Sequence, residues 1–144
     1  MQTVSVSRSV DAPPAAVRDV LAETGPSVRA AGFDEVTVDG STVEVRKRVG
    51  LAELSLTLEA VADPDAAVVH EQREGVFSAM RTTYAVEAAD GGSTVTATTE
   101  FALDVPVVGD VLDATVIERQ RRQELTNQLA YVEERVERVA APQS

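Results

Sequence analysis

The sequence predicts an α+β fold in which a curved, seven-stranded antiparallel sheet wraps around one long C-terminal helix. Hydrophobic residues recur with a period of two along the N-terminal segment and through residues 33–103, as in half-buried strands. Turns rich in Gly, Asp and Pro divide these residues at short intervals, which is typical of antiparallel strands. From Pro106 to about Val139 the pattern becomes helical, and this segment alone is long enough to cover the sheet.

The N-terminal segment predicts one strand followed by two short helices. Valines alternate with serine and threonine ahead of a Pro-Pro pair at residues 13–14, which ends the strand and can pre-set a helical turn. Short helices are predicted over residues 15–22 and 27–31, separated by Gly25-Pro26. These two helices connect the first strand to the rest of the sheet.

Six further strands are predicted before the long helix. Asp39-Gly40 marks a hairpin between the first two of them, and Gly91-Gly92 marks a tight turn before the last. Strands joined by such short turns pair in chain order, and the N-terminal strand must join the same sheet. The six predicted strands cover residues 33–38, 42–49, 51–61, 66–74, 76–88 and 93–103.

Four stretches in this order carry a resemblance to a known superfamily. They are VDAPP at residues 10–14, EGVF at 74–77, DGGSTVT at 90–96 and the helix from Pro106 to Val139. The chain resembles the START-type and birch-pollen-allergen-like helix-grip superfamily, and most of all its polyketide cyclase/dehydrase and lipid-transport-like (SRPBCC) subgroup. The resemblance implies an elongated cavity between sheet and helix. It implies no single function, because the superfamily includes carriers, enzymes and regulators.

Length and composition predict one domain over residues 1–141 with a short tail at 142–144. The chain has 144 residues, of which 44% are apolar, and is long enough to bury a core. Aromatic residues make up only 3%, so valine, leucine and alanine must supply most of that core. No stretch approaches the roughly 20 apolar residues that span a bilayer, and the N-terminus lacks signal-peptide features. We expect a soluble, cytoplasmic protein without stable membrane insertion.

The charge balance is strongly acidic. The formal net charge is −11, from 24 acidic and 13 basic residues, and Lys47 is the only lysine. Such a field repels nucleic acid and anionic membranes, so neither is an expected partner. The composition resembles that of proteins from salt-loving archaea, in which molar salt screens repulsion between carboxylates. We favour this halophilic origin, and an acidic protein from a GC-rich mesophile is the alternative.

The residue inventory argues against metal and cofactor chemistry. The chain has no cysteine, which excludes disulfides, thiolate metal sites and cysteine nucleophiles. It has a single histidine, His70. A zinc site needs several imidazole or thiolate ligands, and no loop has a calcium-ligand pattern. The glycine pairs match turns rather than phosphate-binding loops. We therefore predict no metal and no cofactor.

Charged residues interrupt the predicted long helix where its core-facing stripe should be apolar. Glu118, Arg121 and Arg122 lie near the stripe that contains Leu125, and Glu118 is at contact spacing from both arginines. One interpretation is a polar patch in the cavity that orients the carboxylate, carbonyl or hydroxyl of a ligand. The other is a change of phase or a kink near residues 117–123 that lets the arginines reach water. The residues alone narrowly favour the kink.

Two strands are predicted to line the cavity opposite this helix. Met80, Thr82 and Tyr84 share one face of their strand, and Thr99 and Phe101 share a face of the next. The Tyr84 hydroxyl could hold a ligand or a neighbouring side chain, and core packing is the commoner role. The candidate ligand-binding set comprises these five residues together with Glu118, Arg121, Arg122 and Leu125.

Three further polar residues rank lower as site candidates. Arg8 and Lys47 share strand parity with apolar neighbours, but a cavity mouth or the surface is the expected position of each. His70 could act as a general base, yet its strand lacks clean alternation, and a surface or strand-edge position is expected. No catalytic residue is assigned, because no serine or threonine has a base placed beside it.

Three classes of function fit these observations. The first is binding or transport of a hydrophobic small molecule, such as a lipid, isoprenoid, quinone or polyketide-like compound, in the internal cavity. The second is a metal-free enzyme of cyclase, aromatase or dehydratase type on a polyketide-like substrate, with Glu118, Arg122, His70 and Tyr84 as candidate groups. The third is a protein-interaction module of the same fold. The fold that the resemblance implies, together with the polar interruption of the helix face, favours binding over catalysis.

Overall fold

Seven strands and three helices make up the described part of the chain. The structure is a computed structural model that describes residues 2–49, 52–63, 66–75, 77–103 and 114–140. The helices are α1 (Pro14–Ala22), α2 (Thr24–Arg29) and α3 (Ala114–Ala140). The strands are β1 (Gln2–Val10), β2 (Glu35–Asp39), β3 (Thr42–Val49), β4 (Ala52–Val61), β5 (Val68–Gly75), β6 (Phe77–Ala89) and β7 (Gly92–Leu103). The predicted α+β class and seven-stranded sheet are confirmed.

The N-terminal strand pairs with the last strand. Across the sheet the order is β1-β7-β6-β5-β4-β3-β2, and every pairing is antiparallel. Strands β2 to β7 pair in chain order because short connections suffice between antiparallel neighbours. Strand β1 instead pairs with β7, from Gln2 opposite Phe101 to Val10 opposite Ser93. The edges of this sheet are therefore β1 and β2.

The two short helices follow β1 as predicted, but α2 begins earlier than the sequence pattern indicates. It begins at Thr24 and includes Gly25 and Pro26, which the pattern marks as a break. Pro26 is compatible with this position because the backbone N–H groups of a first helical turn have no intrahelical acceptor. Helix α1 starts on Pro14 for the same reason.

The long helix α3 packs against β1 and β7 and against both short helices. The predicted start of this helix at Pro106 and the predicted tail at 142–144 lie outside the described residues. The buried positions of α3 follow one another by one, three or four residues, which defines one face of a helix. They are Ile117, Arg121, Glu124, Leu125, Gln128, Leu129, Val132 and Val136.

Aliphatic side chains fill the core between the sheet and α3. Buried valines come from β1, β3 and β7, and they meet Leu125, Leu129 and Val132 of the helix. Phe77 and Phe101 add a tilted aromatic pair with ring centroids 5.3 Å apart. A core of short branched residues matches a composition with few aromatics.

Gly92 lets β7 approach β1 closely. A Cβ atom at Gly92 would overlap the carbonyl oxygen of Val10 and crowd the Asp11 backbone. The next residue, Ser93, donates a 2.6 Å hydrogen bond from its hydroxyl to the carbonyl oxygen of Ala12. The missing side chain at Gly92 therefore permits the end of β1 to lie against the start of β7.

Candidate functional site

One face of α3 carries polar side chains into the core. Arg121 is 7% exposed, and Glu124 and Gln128 are each 3% exposed. Their spacing of three and four residues places them on the same side of the helix as Ile117. Buried charges are costly unless they are paired and hydrogen-bonded, so this face needs polar partners from the sheet.

Arg121 is the centre of a first cluster. Its Nη1 donates to Glu124, and its Nη2 donates to Thr82 Oγ1 on β6 at 2.9 Å. The Thr82 hydroxyl donates to Thr99 Oγ1 on β7 at 2.9 Å, and Gln120 donates to the second Glu124 oxygen at 3.2 Å. Among the described residues, the buried Nε of Arg121 has no hydrogen-bond partner. Such a donor costs about 1–3 kcal/mol unless water or a ligand accepts from it.

Tyr84, Gln128 and His70 form a second cluster beside the first. The Tyr84 hydroxyl donates to Gln128 Oε1 at 2.6 Å, and Gln128 Nε2 donates to the carbonyl oxygen of Ser27 at 3.1 Å. The ring of His70 meets the ring of Tyr84 edge-on, with centroids 6.0 Å apart. These contacts join β5, β6, α2 and α3 across the interior.

Burial keeps both titratable rings of the second cluster uncharged at neutral pH. Desolvation, and to a smaller extent the positive charge of Arg121, lowers the pKa of His70 to about 4. Desolvation also raises the pKa of Tyr84 to about 12, against the opposing effects of Arg121 and of the hydrogen bond to Gln128. The ion pair between Arg121 and Glu124 adds no net charge, so the two clusters together are neutral.

Two small spaces adjoin Arg121. Both are lined by Phe33; one extends to Tyr84 and the other to Ile117, and each measures about 20 Å³. Such a space holds about one water molecule, whereas pockets for drug-sized ligands measure about 300–1,000 Å³. Where the described residues enclose the interior, the room beside Arg121 is thus far smaller than the elongated cavity that the resemblance implies. Side chains such as Leu56 and Met80 occupy that region.

A surface cleft of about 320 Å³ lies over β2, β3 and β4, away from the buried clusters. Its lining includes three basic and three acidic residues, among them Glu35 and Arg46. These two form an ion pair at 3.4 Å with both side chains at least 60% exposed, a geometry that contributes little energy. The cleft is solvated and balanced in charge, so the buried clusters are the better candidate site.

Most of the predicted cavity residues lie in the buried interior beside Arg121. Cross-strand pairing of β6 with β7 places the strand residues of this set on one face of the sheet, opposite α3. Their role in ligand binding stays a prediction. The buried members are Met80, Thr82, Tyr84, Thr99, Phe101 and Leu125.

The charged stretch of the helix divides between core and surface. Arg121 is buried, Glu118 is half-buried, and Arg122 is exposed and donates to the Ser5 carbonyl oxygen at 3.3 Å. The helix is continuous through this stretch. Neighbouring helical residues point about 100° apart, so Arg121 can face the core while Arg122 faces water. The prediction that the arginines reach water is therefore correct for Arg122 and wrong for Arg121. The carboxylate that pairs with Arg121 is Glu124 rather than Glu118.

Two lower-ranked candidates lie at partly exposed positions, as expected. Arg8 forms an ion pair with Glu133 of α3 at 2.9 Å, and its side chain is 39% exposed. Lys47 donates from its Nζ to the carbonyl oxygen of Gly32 at 2.6 Å. Both residues use their charge to join the sheet to neighbouring elements.

The expected surface position of His70 is wrong. The residue is 6% exposed and lies opposite Thr82 in the pairing of β5 with β6. Directly paired residues on neighbouring strands share a face of the sheet, so His70 faces inward with Thr82. The irregular hydrophobic pattern of β5 concealed this orientation.

Three residues of the clusters, Gln120, Glu124 and Gln128, are not among the sequence candidates. The stripe drawn through Leu125 was too narrow, because the buried face of the N-terminal half of α3 turns towards Ile117. The spacing of Glu124 and Gln128 from Arg121 was the available signal, since positions three and seven residues on lie on one helix face.

The polar interior is not arranged as a cation site. Within the described ranges, no group of three or more His, Cys, Asp or Glu side chains could hold a metal ion. In that same part of the chain, no helix is both long and apolar enough to cross a membrane. The interior clusters offer hydrogen bonds and an ion pair instead.

Comparison with known protein families and proteins supports the resemblance seen in the sequence. The family described as polyketide cyclase / dehydrase and lipid transport matches residues 1–137. No curated protein matches the chain. The solved structure of TTHA0849 from Thermus thermophilus is 18% identical with a TM-score of 0.76, over 97% of this chain and 100% of that one.

Two further solved structures share the helix-grip arrangement. A START superfamily protein from Mycobacterium smegmatis is 9% identical with a TM-score of 0.73, over 96% of this chain and 99% of that one. The Zhui aromatase/cyclase from Streptomyces is 17% identical with a TM-score of 0.73, over 98% of this chain and 99% of that one. The predicted superfamily is confirmed, and at these identities the structures establish the fold alone.

Proposed function

The chain belongs to the family of polyketide cyclase / dehydrase and lipid-transport proteins, and on this premise we propose that it binds a hydrophobic small molecule between the sheet and α3. The observation that carries the proposal is the buried Nε–H of Arg121, which has no acceptor in the described part of the chain. An oxygen atom of a ligand would supply that acceptor. The surrounding apolar side chains would hold the rest of the molecule.

Binding requires the interior to widen. The spaces beside Arg121 measure about 20 Å³ each, so side chains on their walls must move to admit a ligand. Met80 is suited to this because an unbranched thioether side chain repacks readily. If the open state is a minor one, the apparent affinity is reduced in proportion to its population.

The desolvation free energy of the buried polar clusters is a second argument for the proposal. A buried Arg–Glu pair contributes little stability compared with apolar residues of similar volume, because both ions lose their hydration. Arg121 and Glu124 are nevertheless buried and are held by Thr82 and Gln120. A ligand-orienting role would explain an arrangement that packing alone does not favour.

Two arginine-to-methionine variants of α3 test the proposal. Arg121→Met removes the interior donor, and Arg119→Met removes an exposed arginine from the same helix. We expect native mass spectrometry to detect a co-purifying hydrophobic compound, or uptake of one from a panel of isoprenoids, quinones, lipids and polyketide-like compounds. Arg121→Met should bind it about tenfold or more weakly, since a hydrogen bond from a charged donor contributes about 1.5–3 kcal/mol. Arg119→Met should bind it normally.

Two results would contradict the proposal. One is a wild-type protein that carries and takes up none of these compounds. The other is an equal loss of binding in Arg119→Met. Because Arg121→Met leaves Glu124 buried without its partner, the double variant Arg121→Met/Glu124→Leu replaces it if circular dichroism shows unfolding.

A second candidate function is a cyclase or dehydratase, and the position of His70 favours it. Its neutral imidazole lies in the interior beside Tyr84, where it could accept a proton from a ligand. One structure of the same fold is an aromatase/cyclase. Against this candidate, a pKa of about 4 makes His70 a weak base, and Arg122 is exposed.

A poly-β-keto thioester distinguishes the two functions. The enzyme function requires wild type to convert this compound into a cyclised product that has lost water, and His70→Gln to convert it more slowly. Recovery of unchanged thioester, with binding retained, favours a carrier. Equal conversion by wild type and His70→Gln would remove His70 from the chemistry.

A further inference from the structure

We infer that the ligand group held at Arg121 is an uncharged hydrogen-bond acceptor, such as the carbonyl of a ketone, ester or quinone, rather than a carboxylate or phosphate. The inference rests on the proposed function and adds the chemical class of the ligand's polar group. Three features of the buried clusters carry it: their charge, their free donors and their size.

The interior is already balanced in charge. Arg121 and Glu124 form an ion pair in which both side chains are at most 8% exposed. His70 and Tyr84 are neutral at neutral pH, because burial lowers the pKa of the first to about 4 and raises that of the second to about 12. A carboxylate would add an uncompensated negative charge to a chain whose formal net charge is −11. Desolvation opposes such a charge strongly.

The donors of Arg121 point to a single acceptor atom. Nη1 already donates to Glu124 and Nη2 to Thr82, which leaves Nε as the guanidinium nitrogen without a partner among the described residues. Arginine binds carboxylates best through two parallel N–H groups. Each Nη keeps a second N–H, but both Nη atoms are already held by Glu124 or Thr82. A carboxylate would therefore have to share one of these nitrogens, whereas a carbonyl oxygen can accept from Nε alone.

The available space suits an uncharged oxygen as well. Each space beside Arg121 measures about 20 Å³, close to the volume that one water molecule needs. A carbonyl oxygen can replace such a water without carrying a hydration shell of its own. A carboxylate or phosphate would bring further charged oxygens, and a space of this volume has no room for them beside the first.

A matched set of three compounds tests the inference. The ketone 2-undecanone, the carboxylate decanoate and the alkane dodecane have the same number of non-hydrogen atoms, and decanoate is ionised at about pH 8. We expect wild type to bind the ketone about tenfold more tightly than decanoate, measured by titration calorimetry, and more tightly than dodecane. Equal or tighter binding of decanoate overturns the inference and leaves the proposed function standing. Binding of none of the three also overturns the inference, while the panel of isoprenoids, quinones, lipids and polyketide-like compounds still decides the proposed function.

A charge-altering variant provides the sharper test. Glu124→Gln leaves Arg121 without its counter-charge, so decanoate should gain about tenfold relative to the ketone. Glu137→Gln is the matched control, because it changes the net charge equally from an exposed position of α3 outside the two clusters. It should leave the preference for the ketone unchanged. An equal shift in both variants overturns the inference.

The double variant Arg121→Met/Glu124→Leu keeps the test decisive if Glu124→Gln unfolds. It removes both charges together and leaves no buried ion without a partner. It should bind the ketone and dodecane with similar affinity, because the donor that distinguishes them is gone. A retained preference for the ketone overturns the inference.

Discussion

Arg121 is charged and His70 is neutral, although both side chains lie in the same buried interior. Glu124 and Thr82 accept hydrogen bonds from the guanidinium group of Arg121 and so stabilise its buried charge. His70 is buried beside Tyr84, and desolvation together with the positive charge of Arg121 favours its neutral form. Burial therefore sets the charge state of His70, whereas Arg121 is charged by its residue type and needs the carboxylate of Glu124 beside it.

His70 predicts a specific pH dependence of stability. Its pKa is about 4 in the folded chain and about 6.5 in the unfolded chain. The unfolded state binds the proton more tightly, so the free energy of unfolding falls as pH falls from about 6.5 towards 4. Between about pH 7 and pH 5, this loss should amount to about 2 kcal/mol. Urea unfolding at both pH values should show that His70→Gln lacks this part of the loss.

Carboxylates titrate in wild type and in His70→Gln alike. The quantity to compare is therefore the slope of the free energy of unfolding against pH in the two proteins. Parallel slopes for wild type and His70→Gln would contradict the lowered pKa of His70.

At the scale of elements, α3 is both a cover for the sheet and a carrier of polar groups. Leu125, Leu129 and Val132 on its face pack on the sheet, while Arg121 and Gln128 reach partners on β6 and α2. One helix face can combine the two roles because its buried stripe is wide enough for an apolar and a polar column. The position of the helix is thus fixed by directional bonds as well as by packing.

The ion pair of α3 should show strong energetic coupling. Arg121→Met and Glu124→Leu should each cost about 3–5 kcal/mol, because either change leaves a buried charge without its partner. The double variant should cost much less than the sum, since both charges are then gone. Denaturant unfolding of the four proteins measures the coupling free energy. Additive costs would indicate that water reaches the pair.

Gly92 governs the junction of β1 with β7. Gly92→Ala should destabilise the chain by about 2–4 kcal/mol, because the new Cβ overlaps the carbonyl oxygen of Val10, a backbone atom that cannot turn away. Gly25→Ala is the control, because its Cβ would meet the flexible end of Arg29 and alanine favours a helix. Thermal melting of both variants tests this. Similar melting temperatures would contradict the close approach.

At the scale of the whole molecule, the surface charge is the dominant feature. The net charge of −11 creates self-repulsion that is screened over about 10 Å at low salt and about 3 Å in molar salt. The few basic residues are mostly arginine, and several bridge carboxylates on the sheet, as Arg81 does between Asp63 and Glu71. Local pairing therefore offsets only part of the repulsion.

Salt should stabilise the chain. The melting temperature should rise by several degrees between about 0.1 M and 2 M potassium chloride, as screening removes repulsion in the folded state. A variant with four exposed carboxylates changed to amides, at Asp19, Glu23, Glu44 and Glu87, should rise less. Equal responses of the two proteins would show that salt acts through hydration and not through charge.

The sequence allowed the sheet and helix to be predicted because period-two and helical patterns depend on local burial. It located Thr82 and Tyr84 in the interior for the same reason, whereas the favoured kink would have placed Arg121 in water. It could not orient His70, because that depends on the register of β5 against β6. Nor could it select Glu124 over Glu118 as the partner of Arg121, since both carboxylates are at contact spacing and only the buried side of α3 decides.

During synthesis, β1 leaves the ribosome long before β7, the strand with which it pairs. Gln2 pairs with Phe101, so about 100 residues separate the appearance of the two strands. At about 5–20 residues per second, the delay is on the order of 5–20 s, during which β1 has an unpaired edge open to other nascent chains. Its alternation of valine with serine and threonine makes only one side of the waiting strand apolar. That pattern limits aggregation until β7 emerges and the sheet closes over its earliest strand.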